Sequence, residues 1–111
     1  INEIVKWARS IKKNVFVTEF GADSKGPSMM HIKGVGQSDE AAQGQLVVKS
    51  FEAYLAAGVE AAYVFTAVDE NAGADGGQFE TCGMLTSQNT GFTPKPAYYF
   101  VKEMIKNVKQ K

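Results

Sequence analysis

Apolar positions along the chain switch between two spacings, and the switches mark its elements. Ile1, Ile4, Val5, Ala8 and Ile11 recur at helical spacing, with Lys6, Arg9, Lys12 and Lys13 mostly on the other face or in the last turn. This predicts an amphipathic helix that closes near Asn14, a residue that tolerates the left-handed cap conformation. Val15 to Phe20 follows as a β-forming run that carries Glu19 near its end and stops at Gly21. A polar, glycine-rich loop is expected from about Ala22 to Gln37, holding Asp23, Pro27, Met29, Met30 and His31. Ser38 then offers an N-cap, with Asp39 and Glu40 in the first turn, where the helix dipole favours anions. That helix runs to Ala57, turns Leu46, Val47, Phe51, Tyr54 and Leu55 inward, and stops at Gly58. Ala61 to Val68 is apolar almost without interruption, as suits a strand covered on both faces. An irregular stretch from about Asp69 to Thr93 leads to Pro96, the first position of a last helix with Tyr99, Val101, Met104, Ile105 and Val108 mostly inward.

Helix, strand, helix, strand, helix with no hairpin signal predicts a parallel βαβ unit. Two parallel strands make no stable sheet alone, so the missing partner strands are expected from another chain or another portion of the same one. The length of 111 residues fits one domain. Twelve basic residues balance twelve acidic ones, which argues against a nucleic acid or an anionic membrane held by bulk electrostatics. The lysines at 102, 106, 109 and 111 read as a solvated helix face. Cys82 is the only cysteine, so neither an intrachain disulfide nor a cysteine zinc pair is available. No apolar run approaches the roughly 18 residues that span a bilayer. The start at Ile1-Asn2-Glu3 has neither an initiator Met nor a signal peptide, and suggests a chain cut from something longer.

The candidate chemistry centres on Glu19. Parallel α/β folds place their sites at the C-terminal ends of the strands, where a carboxylate closing an apolar strand is a catalytic candidate; the plain alternative is a strand-end Glu facing solvent. The run Asp69 to Gly76 lacks the ligand spacing and closing Glu of a calcium loop, and reads as a polar turn. Gly34-Val35-Gly36 does not directly follow the strand and has no third glycine, which makes it a weak phosphate cradle. Cys82 has no evident catalytic base and reads as a quiet structural thiol. Tyr98 and Tyr99 are expected to pack the last helix, with a sugar platform as the alternative.

Three segments carry a resemblance. Thr18-Glu19-Phe20-Gly21 resembles the end of the seventh barrel strand of the clan A retaining glycoside hydrolases, the superfamily of cellulases, mannanases and β-xylosidases. Gly58-Val59-Glu60-Ala61-Ala62-Tyr63-Val64-Phe65 resembles the approach to their eighth strand. Cys82-Gly83-Met84-Leu85-Thr86 with Thr93-Pro94-Lys95-Pro96-Ala97-Tyr98-Tyr99 resembles the "GLL…PKPAYY" lead-in to their last helix. The similarity spans essentially the whole chain. It implies an α/β fold: the parallel βαβα portion of a TIM (β/α)8 barrel, strands 7 and 8 with their helices, preceded by one helix. Residues 1–111 would then form a single segment, the C-terminal part of a glycoside-hydrolase-like barrel.

By the same resemblance Glu19 stands at the nucleophile's position. A carboxylate there attacks the anomeric carbon, while a second carboxyl roughly 5 Å away acts as acid and then base. In such families that second group ends the fourth strand, which is not in this sequence, so the lone chain is expected to be catalytically incomplete. These families usually place a Trp near the end of the eighth strand; here Val64 or Phe65 stands in that region. Phe65, Asp69 and His31 are the candidate substrate-binding residues, His31 as a hydrogen-bond partner of a sugar hydroxyl or of the nucleophile, against a merely solvated loop His. The implied partners are a carbohydrate substrate and the remaining barrel strands, with no cofactor, metal, nucleic acid or membrane, and a secreted or periplasmic location. The implied function is cleavage of β-glycosidic bonds in a polysaccharide or oligosaccharide. Two alternatives stand beside it: a non-catalytic carbohydrate-binding or scaffolding partial barrel, and a barrel enzyme of other chemistry with Glu19 as general base.

Overall fold

The computed structural model of the chain describes residues 1–24, 40–70 and 80–109. His31, the expected cap at Ser38 and Asp39, the Gly34–Gly36 turn and the 71–79 part of the second loop lie outside them. The elements are α1 (Asn2–Ser10), β1 (Phe16–Phe20), α2 (Glu40–Ala57), β2 (Ala61–Val64), a 3-10 turn (Gln88–Thr90) and α3 (Pro96–Lys109). β1 and β2 are adjacent and parallel, with α2 between them in the chain. This is the expected βαβ connection, followed by a third helix.

Helix α1 ends at Ser10 and closes through Lys12 rather than near Asn14. Lys13 N donates to the Ala8 carbonyl (2.8 Å) and Lys12 N to the Arg9 carbonyl (3.0 Å), the paired bonds that close a helix through one left-handed residue, here Lys12 at φ 56°. Helix α2 closes identically at the expected glycine: Gly58 N to Leu55 O, Val59 N to Tyr54 O, with Gly58 at φ 80°. A side chain at Gly58 would also run into the Arg9 guanidinium.

The core lies between β1, α2 and α3. Phe20 packs edge-on against Phe51 (4.7 Å between centroids) and Tyr54 (5.1 Å), with Leu46 and Val47 buried beside them. Helix α3 approaches α2 where Gly44 leaves room: a Cβ there would sit 2.6 Å from the Phe100 ring and 3.0 Å from the Ala97 backbone. That contact sets the rotation of α3. Ala97 is completely buried, Val101 and Met104 are half-buried, and Tyr98, Tyr99, Ile105 and Val108 stand exposed, which corrects the expected stripe. Leu55, Ile1, Ile4 and Ile11 are likewise exposed.

Strand β2 is half its expected length. Phe65 N still donates to Phe20 O (2.7 Å), but β1 ends there, and the backbone groups beyond find new partners. Met84 N and Leu85 N donate to Ala67 O, Asp69 N donates to Leu85 O, and Val68 bridges Leu85. The apolar run to Val68 is real, but its ladder passes from β1 to residues 82–85.

Candidate active site

Register makes Glu19 unusual. Val17 pairs with Ala62 and Phe20 with Val64, so three steps along β1 match two along β2. The extra residue is a bulge at Thr18 and Glu19. Since Ala62 and Val64 share one face, Val17 and Phe20 share it too, and that face meets α2, as the burial of Phe20 shows. In an unbulged strand Glu19 would follow Val17 onto the helix side. The bulge instead leaves Thr18 and Glu19 off that side, and both are exposed.

The adjacent strand end brings in Phe65. It lies one residue past β2, is 39% exposed, and is tied by its N–H to the residue after Glu19. Gly21 backs onto the Phe65 carbonyl so closely that no Cβ fits between them. Glu19 and Phe65 therefore occupy the C-terminal ends of neighbouring parallel strands. Asp69 lies farther along and is engaged: its two oxygens accept from Lys95 Nζ at 3.0 and 3.1 Å, and Oδ1 also accepts from Gly83 N at 2.7 Å.

Beneath these strand ends lies a buried polar cluster that the sequence reading missed. Lys95, 1% exposed, donates to Asp69, to Ser24 Oγ (3.1 Å) and to the Thr81 carbonyl (3.0 Å). Gln43, fully buried on α2, places its Nε2 against the carbonyls of Ala22 (2.9 Å), Thr81 (3.0 Å) and Gly83 (3.2 Å). Ser24 N also donates to Thr81 O (3.1 Å). One carbonyl thus collects donors from the loop after β1, from α2 and from the residue before α3. An ammonium so buried is tolerable only with its protons matched by acceptors and its charge by a carboxylate, and both conditions are met. Available signals were a glutamine between Ala42 and Gly44 on the buried side of α2, and a lysine between two prolines, where a solvated side chain is the default.

Cys82 completes the cluster by donating to Asp23 Oδ1 at 2.8 Å. Burial, then the Asp23 hydrogen bond and its negative charge, push the thiol up from 9.0 to about 12. It is a proton donor at neutral pH, without nucleophilic character. Asp23 is bound to Cys82 and Asp69 to Lys95, whereas Glu19 stands exposed within β1, as does Glu70 farther along the loop after β2. Among the described residues no group of three or more His, Cys, Asp or Glu could hold a metal ion, and no helix is long and apolar enough to cross a membrane.

A separate concavity lies away from these strand ends. An apolar groove of about 550 Å3 runs between the C-terminal halves of α2 and α3, lined by Phe51, Leu55, Met104, Ile105 and Val108. It holds no strand-end residue and belongs to the helix layer.

No protein-family model matches the chain, and no curated protein matches it in sequence. Solved structures do resemble it. A β-glucuronidase from Faecalibacterium prausnitzii matches over 95% of this chain and 18% of its own, with a TM-score of 0.64 at 16% identity. The β-D-glucuronidase of Dictyoglomus thermophilum matches over 90% of this chain and 17% of its own (TM-score 0.62, 22% identity). A Bifidobacterium dentium β-glucuronidase complexed with coumarin-3-O-glucuronide matches over 92% and 16% (TM-score 0.64, 21% identity). The chain spans less than a fifth of the length of these proteins, and at such identities the likeness is one of fold: the described mixed α/β unit is built like a segment of β-glucuronidases.

Proposed function

We propose that this chain forms strands 7 and 8, with their helices, of a (β/α)8 barrel in a retaining glycoside hydrolase that cleaves β-glycosidic bonds, and that Glu19 is its nucleophile. The observation that carries this reading is the bulge in β1, which takes one carboxylate off the helix-packed face while the acids behind it are bound to partners. Bulges re-aim side chains in this way beside active sites. The fold likeness to enzymes named as glycosidases supports the same reading. Glu19 attacks the anomeric carbon from one face of the sugar, the glycosidic oxygen leaves with a proton from the second carboxyl, and the resulting ester is hydrolysed by water that this second group deprotonates. The second carboxyl and the remaining strands come from outside this chain. Phe65 offers its ring at the rim, and Asp69 acts through the loop that it holds; His31 is the candidate for a hydroxyl contact.

In the assembled barrel, Glu19→Gln preserves shape and removes the attacking charge, so kcat is expected to fall by roughly 10^4 or more, the scale at which loss of a nucleophile is felt. An activated 2-fluoro sugar, tried first in the glucuronide series because of the neighbours' names, is expected to leave its label on the peptide that carries Glu19. Label on another carboxylate, or full activity in Glu19→Gln, refutes the assignment. Inverted product stereochemistry would make Glu19 the base that activates water.

A further inference from the structure

We propose that Lys95 is a positioning residue for Glu19, an inference that rests on the reading of Glu19 as nucleophile. The bulge removes Glu19 from the regular ladder, so its placement depends on what holds the chain immediately after it. In that chain, residues 20–24, every residue but Gly21 is fastened by a hydrogen bond: Phe20 by Phe65 N–H, Ala22 by Gln43, Asp23 by Cys82, Ser24 by Thr81 O and by Lys95. Lys95 is the one charged donor among these fastenings. It joins the loop after β1 (Ser24) to the loop after β2 (Asp69) and to the returning segment (Thr81), while its own N–H is anchored on Met84 O at 2.9 Å. Four residues lie between Glu19 and Ser24; the first, Phe20, is pinned to Phe65 just past β2, and Ser24 is joined through Lys95 to Asp69 in the loop that follows. Removing the ammonium leaves Ser24 Oγ, both Asp69 oxygens and a carbonyl without their shared donor and a carboxylate without its counter-charge, so the tie between the two loops is lost.

The test is made in the assembled barrel with Lys95→Met, which keeps most of the buried stem and deletes the charge. Rates are read per titrated active site with an aryl β-glycoside that the wild-type protein turns over, and with the matching 2-fluoro glycosyl fluoride. A displacement of about 1 Å at a reacting group costs on the order of 100-fold, so kcat and the rate of labelling are expected to fall together by about 10- to 100-fold while KM stays within about 2-fold. A purely structural lysine would lower the melting temperature and leave both rates per active site unchanged, and that result overturns the proposal. Should Lys95→Met fail to fold, Ser24→Ala decides: a several-fold loss in kcat at unchanged KM supports the proposal, and unchanged kcat overturns it. Label on a carboxylate other than Glu19 in the wild-type protein defeats the reading of the nucleophile and this inference with it. Label on Glu19 with unaltered variant rates defeats this inference alone.

Discussion

Cys82 allows a quantitative test of the buried cluster that needs no substrate. Its thiol is raised from 9.0 to about 12, first by burial and then by Asp23. The folded state therefore keeps the proton over a range in which the unfolded chain has lost it. The group's contribution to stability is complete below about pH 9 and disappears as pH rises towards about 12, because there the unfolded state binds fewer protons than the folded one. Raising the pKa from 9.0 to about 12 corresponds to about 4 kcal/mol at full titration, with a limiting slope of about 1.4 kcal/mol per pH unit. The same protection slows alkylation: at pH 8 the native thiolate fraction should be on the order of 1000-fold below that of the unfolded chain. The assay compares urea unfolding of the wild-type protein and Cys82→Ala at pH 8, 9, 10 and 11, so that the titration of tyrosines and other lysines cancels in the difference. Wild type should lose stability faster than the variant above pH 9. Iodoacetamide should modify the native protein only at the rate of global opening. Parallel pH profiles, or native alkylation at the free-thiol rate, would refute the assignment of Cys82 as a buried donor to Asp23.

Three other outcomes are expected. Lys12→Gly should raise the urea midpoint by an amount equivalent to about 1 kcal/mol, since glycine takes the left-handed cap without the cost that a Cβ imposes; no gain would mean that the Lys12 side chain contributes elsewhere. Gly83→Ala should destabilise by at least about 2 kcal/mol, because its Cβ would sit 2.7 Å from Asp69 Oδ1 and closer still to the Val68–Asp69 backbone; a wild-type melting temperature argues against the tight return of that loop. If the Phe65 ring stacks on a sugar, Phe65→Ala should raise KM by the equivalent of about 1–3 kcal/mol, with base–aromatic stacking as a loose analogue. Unchanged KM and kcat would put that ring outside the site.

Local physics made much of this fold legible. The 3.6-residue spacing and Gly58 located α2 and its end, and the proline at 96 located the start of α3. Failures arose where a distant partner decides. Val64 and Val68 are equally apolar, but β1 runs out opposite Phe65, so only the first belongs to the strand. Helix α3 offers two apolar faces, and the space left by Gly44 selects the one centred on Ala97. Glu19 stood out because a carboxylate closing an apolar run is a local anomaly. Its direction did not, since a count of three residues against two exists only once the strands are paired. Lys95 meets partners 26 and 71 residues away, a distance over which no sequence pattern reaches.

The joint beneath the strand ends has a further consequence for mutational scanning. Its meeting point is the main-chain oxygen of Thr81, which accepts from Ser24 N, Gln43 and Lys95, and no side-chain replacement removes a backbone carbonyl. A scan would register the losses at 43, on α2, and at 95, just before α3, and find nothing in these three bonds to mark position 81. Two sensitive sites far apart in sequence would look unrelated, although each reports on the same silent atom.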